Sequence, residues 1–256
     1  MAVSLIALPG MALVREGDDL AALIVSAAVR NHARFISGDV LAVAQKIVSK
    51  AEGRLVRLAD VTPGARAREL ATQVNKDPRL VEVILAESKR VVRAAPNMLI
   101  MEHRLGFVMA NAGVDQSNVG QANMNADGEV ALLLPVDPDA SAARLKSALE
   151  ARSGVALGVV VTDSFGRPWR NGVVGVALGA AGLPALLDKR GAPDLFGRPL
   201  RMTEIALADE IASAASLVMG AAAEGIPAVI ARGLALSGPE RPARALIRDA
   251  ALDLFR

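Results

Sequence analysis

The chain has no cysteine and no tyrosine, one tryptophan, Trp169, and two histidines, His32 and His103. Without thiols there is no disulfide, no thiolate nucleophile and no cysteine-ligated zinc site, which fits a cytoplasmic protein. Two isolated histidines give little support to a histidine-based triad or zinc centre. Aromatic residues make up only 2% of the chain, so the stacking platforms that hold single-stranded nucleic acid are scarce and no nucleic-acid partner is expected. No stretch reaches the roughly 18 uninterrupted apolar residues of a membrane span. The apolar N-terminus, MAVSLIALPGMALV, lacks a basic leader and is interrupted by Pro9 and Gly10 after a strand's length. The expectation is a soluble protein with no membrane partner. Two phosphate-binding signatures are also missing: no GxxxxGK[ST] and no GxGxxG element occurs, so any nucleotide is held by other means.

The 29 Lys and Arg nearly balance 27 Asp and Glu. The sequence pI of about 9.3 therefore reflects the lack of groups titrating between carboxylates and lysines rather than a basic surface. At 256 residues and 52% hydrophobic, the chain can bury one large core or two modest ones.

Short apolar runs alternate with helical periods. Candidate strands are Val3 to Leu8, Val40 to Ala44, Met98 to Glu102, Gly106 to Ala110, Ala156 to Val161, Val173 to Leu178 and Ala228 to Ala231. Candidate helices are Asp18 to His32, Gly64 to Val74, Leu80 to Lys89, Ser141 to Ser153, Thr203 to Met219 and Arg241 to Phe255. Asp18, Thr62 with Pro63, and Asp139 or Ser141 are the expected helix starts. Links as short as His103 and Arg104 between two strands permit only an antiparallel hairpin. The class expected is α+β, with mixed, largely antiparallel sheets and packed helices. The softest boundary lies in QANMNADGEVALLLPVDPDAS, expected to be an exposed loop.

Chemistry concentrates in VVVTDSFGRPWRNG, where an apolar run delivers Thr162, Asp163 and Ser164, then Arg167 and Arg170. An acid, a hydroxyl and two guanidiniums at the end of a buried strand suit a cation and phosphates. The alternative is local: Asp and Ser also favour turns and caps for their own hydrogen bonds. MANAGVDQSNVG repeats the layout, with Asn111, Asp115, Ser117 and Asn118 following an apolar run, and two such loops could share one Mg²⁺ or Mn²⁺. Arg167 and Arg170 are either surface charges or a fork for phosphate or carboxylate. GDVLAVAQKIVSKAEGR sets Gln45, Lys46, Ser49, Lys50 and Glu52 after a buried strand, as a phosphate-facing segment or a solvated turn. Asp209 and Glu210, adjacent on an Ala-rich helix, cannot face the same way, so at least one reads as a solvated charge.

Taken together, LPGMALVREGDDL, GDVLAVAQKIVSKAEGR, NAGVDQSNV, LLPVDPDAS, VVVTDSFGRPWRNG, DLFGRPL and GIPAVIARGL resemble, in order, the coenzyme F(420) gamma-glutamyl ligase family. The resemblance covers nearly the whole chain as a single ligase unit, or two intimately packed subdomains. It implies a GTP-dependent amide ligase that adds L-glutamate to the lactyl-phosphate side chain of a deazaflavin coenzyme precursor. It also implies Mn²⁺ or Mg²⁺, often with K⁺, an unusual topology and an intertwined homodimer. By the family's motifs, Asp115, Asn118, Asp163 and Ser164 are the metal positions. Met11, Ala12, Leu13 and Val14 hold the guanine nucleotide with Gln45, Lys46 and Lys50, and Gly220 and Glu224 border it. Lys50, Arg167 and Arg170 supply fixed positive charge to the chemistry, with Lys50 the foremost phosphate contact. Ala221 stands where many relatives carry Gln or Glu, which leaves a second cation one oxygen short unless Glu224 substitutes. No flavin-dependent domain follows, so no FMN is expected. The competing readings are a related ligase using another acid or amine, and a non-catalytic nucleotide-binding homologue.

Overall fold

The computed structural model describes residues 2–119 and 129–253. In chain order the elements are β1 (Ser4–Ala7), α1 (Leu20–Arg30), β2 (Val40–Ala44), α2 (Gln45–Ala51), β3 (Leu55–Arg57), α3 (Ala65–Val74), α4 (Pro78–Ala86), β4 (Ser88–Ala95), β5 (Met98–His103) and β6 (Val108–Ala110). They continue with β7 (Val130–Leu132), α5 (Pro138–Ser153), β8 (Gly158–Arg167), β9 (Arg170–Ala181), β10 (Leu187–Asp188), β11 (Glu204–Ile205), α6 (Leu207–Met219) and β12 (Ala228–Arg232).

The main sheet runs β1-β12-β2-β8-β9 and is antiparallel except for the β2–β8 pair. Its central strands read as continuous apolar runs because both faces are covered. Leu41, Val43, Val159, Val161 and Ile230 pack with α1 and α5 residues on one face, while Val40, Val160 and Ala231 pack with Ala208, Ile211 and Ala212 of α6 on the other. The two helices lie very close to β9. A Cβ on Gly175 would collide with the carbonyl of Ala212, and one on Gly179 with that of Pro138. A second core gathers Leu70, Val74, Val81, Ile84, Leu99 and Met101 from α3, α4 and β5, beside the antiparallel sheet β4-β5-β6. The expected α+β class, with mixed, mainly antiparallel sheets and packed helices, is what the chain forms, and the short link at His103 and Arg104 is a hairpin.

Several boundaries differ from the sequence expectations, each for a local reason. Asp19, rather than Asp18, caps α1 through the Ala22 amide at 3.0 Å; Asp18 instead accepts from Arg15 at 2.8 Å. Asp137 caps α5, and Asp139 is buried, accepting from the amides of Ala180 at 2.9 Å and Ala243 at 2.7 Å and from the Arg244 guanidinium at 3.0 Å. Those bonds replace the helix expected from Arg241 onward. Behind Pro242 the described residues make only short 3₁₀ turns at Ala243–Leu246 and Ala250–Leu252, because Asp139 already satisfies amides there; the last positions of the expected helix, 254 and 255, lie outside the described residues. Asp77 and Pro78 start α4 early, and the segment from Ser88 becomes a strand paired with β5. The helix expected from Thr203 starts at Leu207, since Glu204 and Ile205 pair with β10. Residues 120–128, which include the start of the expected exposed loop, lie outside the described residues; the rest of that stretch is not an exposed loop, since Ala131 to Leu134 are buried at and after β7 and α5 already begins at Pro138.

Candidate functional site

β8 does not stop where its apolar run stops. It continues through Asp163 and Ser164 to Arg167, pairing Asp163 with Val176 and Ser164 with Gly175, with an irregularity in the ladder between Val161 and Thr162. Such a shift re-aims the side chains that follow it. Asp163 is thus neither a helix cap nor a turn residue, and the local alternative for it falls.

Opposite stands the Asp115 loop. Asp115 is fixed by two backbone bonds to Leu132, its amide donating at 3.0 Å and its carbonyl accepting at 2.8 Å. Its Oδ1 accepts from the Ser117 amide at 2.7 Å. Asn118 turns in the left-handed region at φ 55°, which an asparagine tolerates, and its Nδ2 donates to the Ala222 carbonyl at 2.9 Å. The loop after α6 is thereby tied to the loop after β6.

The third wall comes from α2, which the sequence left open as a solvated turn. Seven residues long, it gives too short a period to stand out, and its N-cap, Ala44, makes no side-chain bond. Lys46 and Lys50, one turn apart, share a face. The Lys46 ammonium lies 2.7 Å from Asp115 Oδ2 and donates to Ser117 O and Oγ at 2.9 Å each. Lys50, buried at 8% exposure, donates to the Asn118 carbonyl at 2.9 Å. Among the described residues no carboxylate pairs with it. Gln45, also buried, accepts from Ser49 Oγ at 2.9 Å.

These walls enclose a cleft of about 660 Å³, lined by Met11, Ala12, Leu13, Val14, Gln45, Lys46, Lys50, Asp115, Asn118, Asp163, Ser164, Gly220 and Glu224 among others. Positions from five separate segments thus converge on one cavity of ligand-binding size. Arg167 and Arg170 do not line it. They face each other at the end of the β8–β9 hairpin, where one guanidinium nitrogen of Arg167 is buried and has no hydrogen-bond partner among the described residues. Thr162, delivered by the same apolar run as Asp163, also lines the cleft, as do Ser216, Met219 and Ala222, which were not among the candidate residues. For the α6 residues the only available signal was the glycine ending the helix, Gly220, whose φ of 71° and ψ of −177° belong to a region open essentially to glycine alone.

Charge in the cleft is unbalanced. Burial is the main force on Asp163, pushing its carboxyl up to about 7; the nearby Asp115 charge adds to the rise, while the Ser164 amide and Lys46 oppose it. Burial also works against ionised Asp115, but Lys46 and the Ser117 amide and hydroxyl outweigh it and hold that carboxyl below its ordinary value. Lys50 is lowered by burial first and by the Lys46 charge second. A desolvated carboxylate facing a second acid fits a bound cation. With no group of three or more His, Cys, Asp or Glu suited to a metal among the described residues, a hard cation here would fill out its shell with neutral oxygens, water and phosphate oxygens, as Mg²⁺ does. Glu224 lines the cleft as well; its Oε2 accepts from the Ala222 amide at 2.8 Å, and backbone amides, that of Ala222 foremost, hold its pKa low.

A sequence model of the F(420)-0:gamma-glutamyl ligase family matches residues 10–233, a span that contains every cleft residue named above. The chain belongs to that family. It is 51% identical over 248 residues to the coenzyme F(420):L-glutamate ligase of Methanopyrus kandleri, covering 95% of this chain and 93% of the relative. With the protein of that name from Methanothermobacter thermautotrophicus it shares 46% identity over the full length of both. With that of Halobacterium salinarum the identity is 44%, over 88% of this chain and 85% of the relative. The ordered motifs of the sequence and the cleft thus coincide in one family. Among the described residues no helix is long and apolar enough to cross a membrane.

Proposed function

We propose that this chain is a GTP-dependent ligase that joins L-glutamate to the carboxylate of the deazaflavin coenzyme precursor, and that it uses Mn²⁺ or Mg²⁺, with K⁺ as a monovalent activator. The observation that carries the reading is the convergence of two acids and two desolvated or half-buried ammoniums on one cleft, in a chain whose close relatives bear the name of that ligase. A carboxylate does not react with an amine until its oxygen becomes a leaving group. In the proposed route a carboxylate oxygen bonds to the γ-phosphorus of GTP as the bond to the GDP oxygen breaks. The glutamate ammonium gives up one proton to solvent, its nitrogen then attacks the acyl carbon, the C–N bond forms, the C–O bond breaks as phosphate departs, and the nitrogen releases a second proton to leave the neutral amide.

Asp115, Asn118, Asp163 and Ser164 would hold the cation, which when bound supplies Lewis-acid neutralisation of phosphate charge. Lys50 brings fixed positive charge to the phosphates without prior pairing to an acid. Met11 to Val14 form the wall assigned to the guanine end. Purified protein is expected to consume GTP only when precursor and L-glutamate are both present with Mn²⁺ or Mg²⁺, with one GDP per amide formed. Product without GTP, or none with any divalent ion tested, would falsify the reading.

A homodimer belongs to the same proposal. Trp169 at the hairpin end, Leu195, Phe196 and Met202 around the β10–β11 arm, and Leu217 on α6 are all more than 80% exposed. A second copy of the chain would cover these side chains. Sedimentation equilibrium is expected to give twice the chain mass, and Phe196→Asp with Leu195→Asp to shift the protein toward monomer. A monomer at all concentrations for the unaltered chain would remove this part of the proposal.

A further inference from the structure

Lys46 occupies the ground that a cation needs. All three donors of an ammonium are accounted for within the Asp115 loop: Asp115 Oδ2 at 2.7 Å and Ser117 O and Oγ at 2.9 Å. The other carboxylate oxygen of Asp115 is taken by the Ser117 amide at 2.7 Å. Asp115 is therefore already neutralised, and a divalent cation reaching the same carboxylate would meet a positive charge a few ångströms away. Lys50, one turn along, presents no such obstacle, because its ammonium rests on the Asn118 carbonyl rather than on an acid.

Resting on the reading above for both the nucleotide and the cation at Asp115, we propose that Lys46 is a built-in counter-ion that holds the Asp115 loop in shape and is handed to the nucleotide phosphates when the cation takes Asp115. Three features support the transfer. The pair is only part-buried, at 25% and 35% side-chain exposure, so breaking it does not strand a charge in the core. Lysine is a mobile point charge on a flexible stem, able to swap one oxyanion for another. Lys46 and the loop residues line one continuous cleft with Lys50 and Met11 to Val14, so a bound triphosphate offers the ammonium new acceptors within its own cavity. The consequence is positive coupling: each of the two ligands removes what opposes the other. Lys46 is a positioning residue in this scheme, and Asp163, which it does not touch directly, keeps its place throughout.

The test uses binding rather than turnover. Free Mn²⁺ is followed by its paramagnetic resonance signal in titrations without nucleotide, and GDP binding is measured by calorimetry in EDTA. Lys46→Met is expected to tighten Mn²⁺ binding about tenfold and to weaken metal-free GDP binding about tenfold, both within the usual span of coupling between two ligands. A residue that merely supported the loop would weaken both. Asp115→Asn frees Lys46 from the other side, so it should lose Mn²⁺ binding yet bind GDP more tightly in EDTA, which also covers the case in which Lys46→Met does not fold. Unchanged or weaker Mn²⁺ binding in Lys46→Met overturns the competition. Unchanged GDP affinity in either variant overturns the transfer. Loss of ligase activity in the unaltered protein with both shifts present would fault the substrate assignment and leave the counter-ion role standing.

Discussion

Asp163→Ala is expected to abolish ligation, by at least about a thousandfold, while the protein remains folded. The carboxylate sits inside a strand, not at a cap, so its removal forgoes no helix start and opens only a small space at the edge of a cleft. Loss of a ligand that brings a full negative charge is what activity should feel. Asp163→Asn should be nearly as damaging, since an amide oxygen coordinates without charge. Stability should move the opposite way. Burial lifts the Asp163 carboxyl from 3.8 to about 7, so the folded chain keeps a proton that the unfolded chain has lost. The penalty is absent below pH ~4, grows between pH ~4 and ~7, and is constant above. Metal-free Asp163→Asn should therefore be more stable than the parent at pH 8 by about 1–3 kcal/mol, with the difference gone at pH 4. Thermal melts at the two pH values and a turnover assay check both halves. An Asp163→Asn protein that ligates normally, or one less stable at pH 8, contradicts the site.

Lys50→Met should weaken GTP binding or slow phosphoryl transfer at least tenfold, about 1.4 kcal/mol. Its ammonium is buried and makes one bond to a carbonyl, so the protein bears a desolvated cation with no acid to offset it among the described residues. Methionine matches the stem and removes the charge, and the fold should hold or gain slightly at neutral pH. Rates at low and at saturating GTP separate the two effects: a rise in KM alone assigns Lys50 to ground-state binding, and a fall in kcat to the transferring phosphoryl group. Unaltered kinetics at both concentrations would transfer the phosphate contact to Lys46.

Arg167 and Arg170 are the instructive case among the assigned residues. Their spacing after Asp163 suggested a phosphate fork, but a strand that runs on through Gly166 carries them to the far end of the hairpin, away from the cleft lining. For either to meet a substrate in the cleft, the hairpin end must come from a second copy or the substrate must extend beyond the cavity. Glu224 shows the converse. Its position three residues past Ala221 left open a replacement ligand, and the fold brings it into the cleft lining, with its Oε2 accepting from the Ala222 amide.

Periodicity, composition and ordered motifs were enough to place the α+β class, most strands of the main sheet, the α1, α3, α4 and α5 helices within a few residues, and the loop that carries Asp115. Those features are local: a buried strand must be apolar and a helix must repeat its apolar face, whatever surrounds them. What the sequence by itself could not determine depends on partners distant in the chain. That Arg241 onward would not be helical was decided by Asp139, about a hundred residues earlier, offering its oxygens to those amides. That β8 would extend past its apolar run was decided by β9, which supplies the ladder. That Lys46 would meet Asp115, and Lys50 the Asn118 carbonyl, was decided by the parallel pairing of β2 with β8 and the bridge from Asp115 to Leu132. Charges find their partners only after packing has fixed the distances, because an ion pair contributes too little on its own to dictate where the backbone goes.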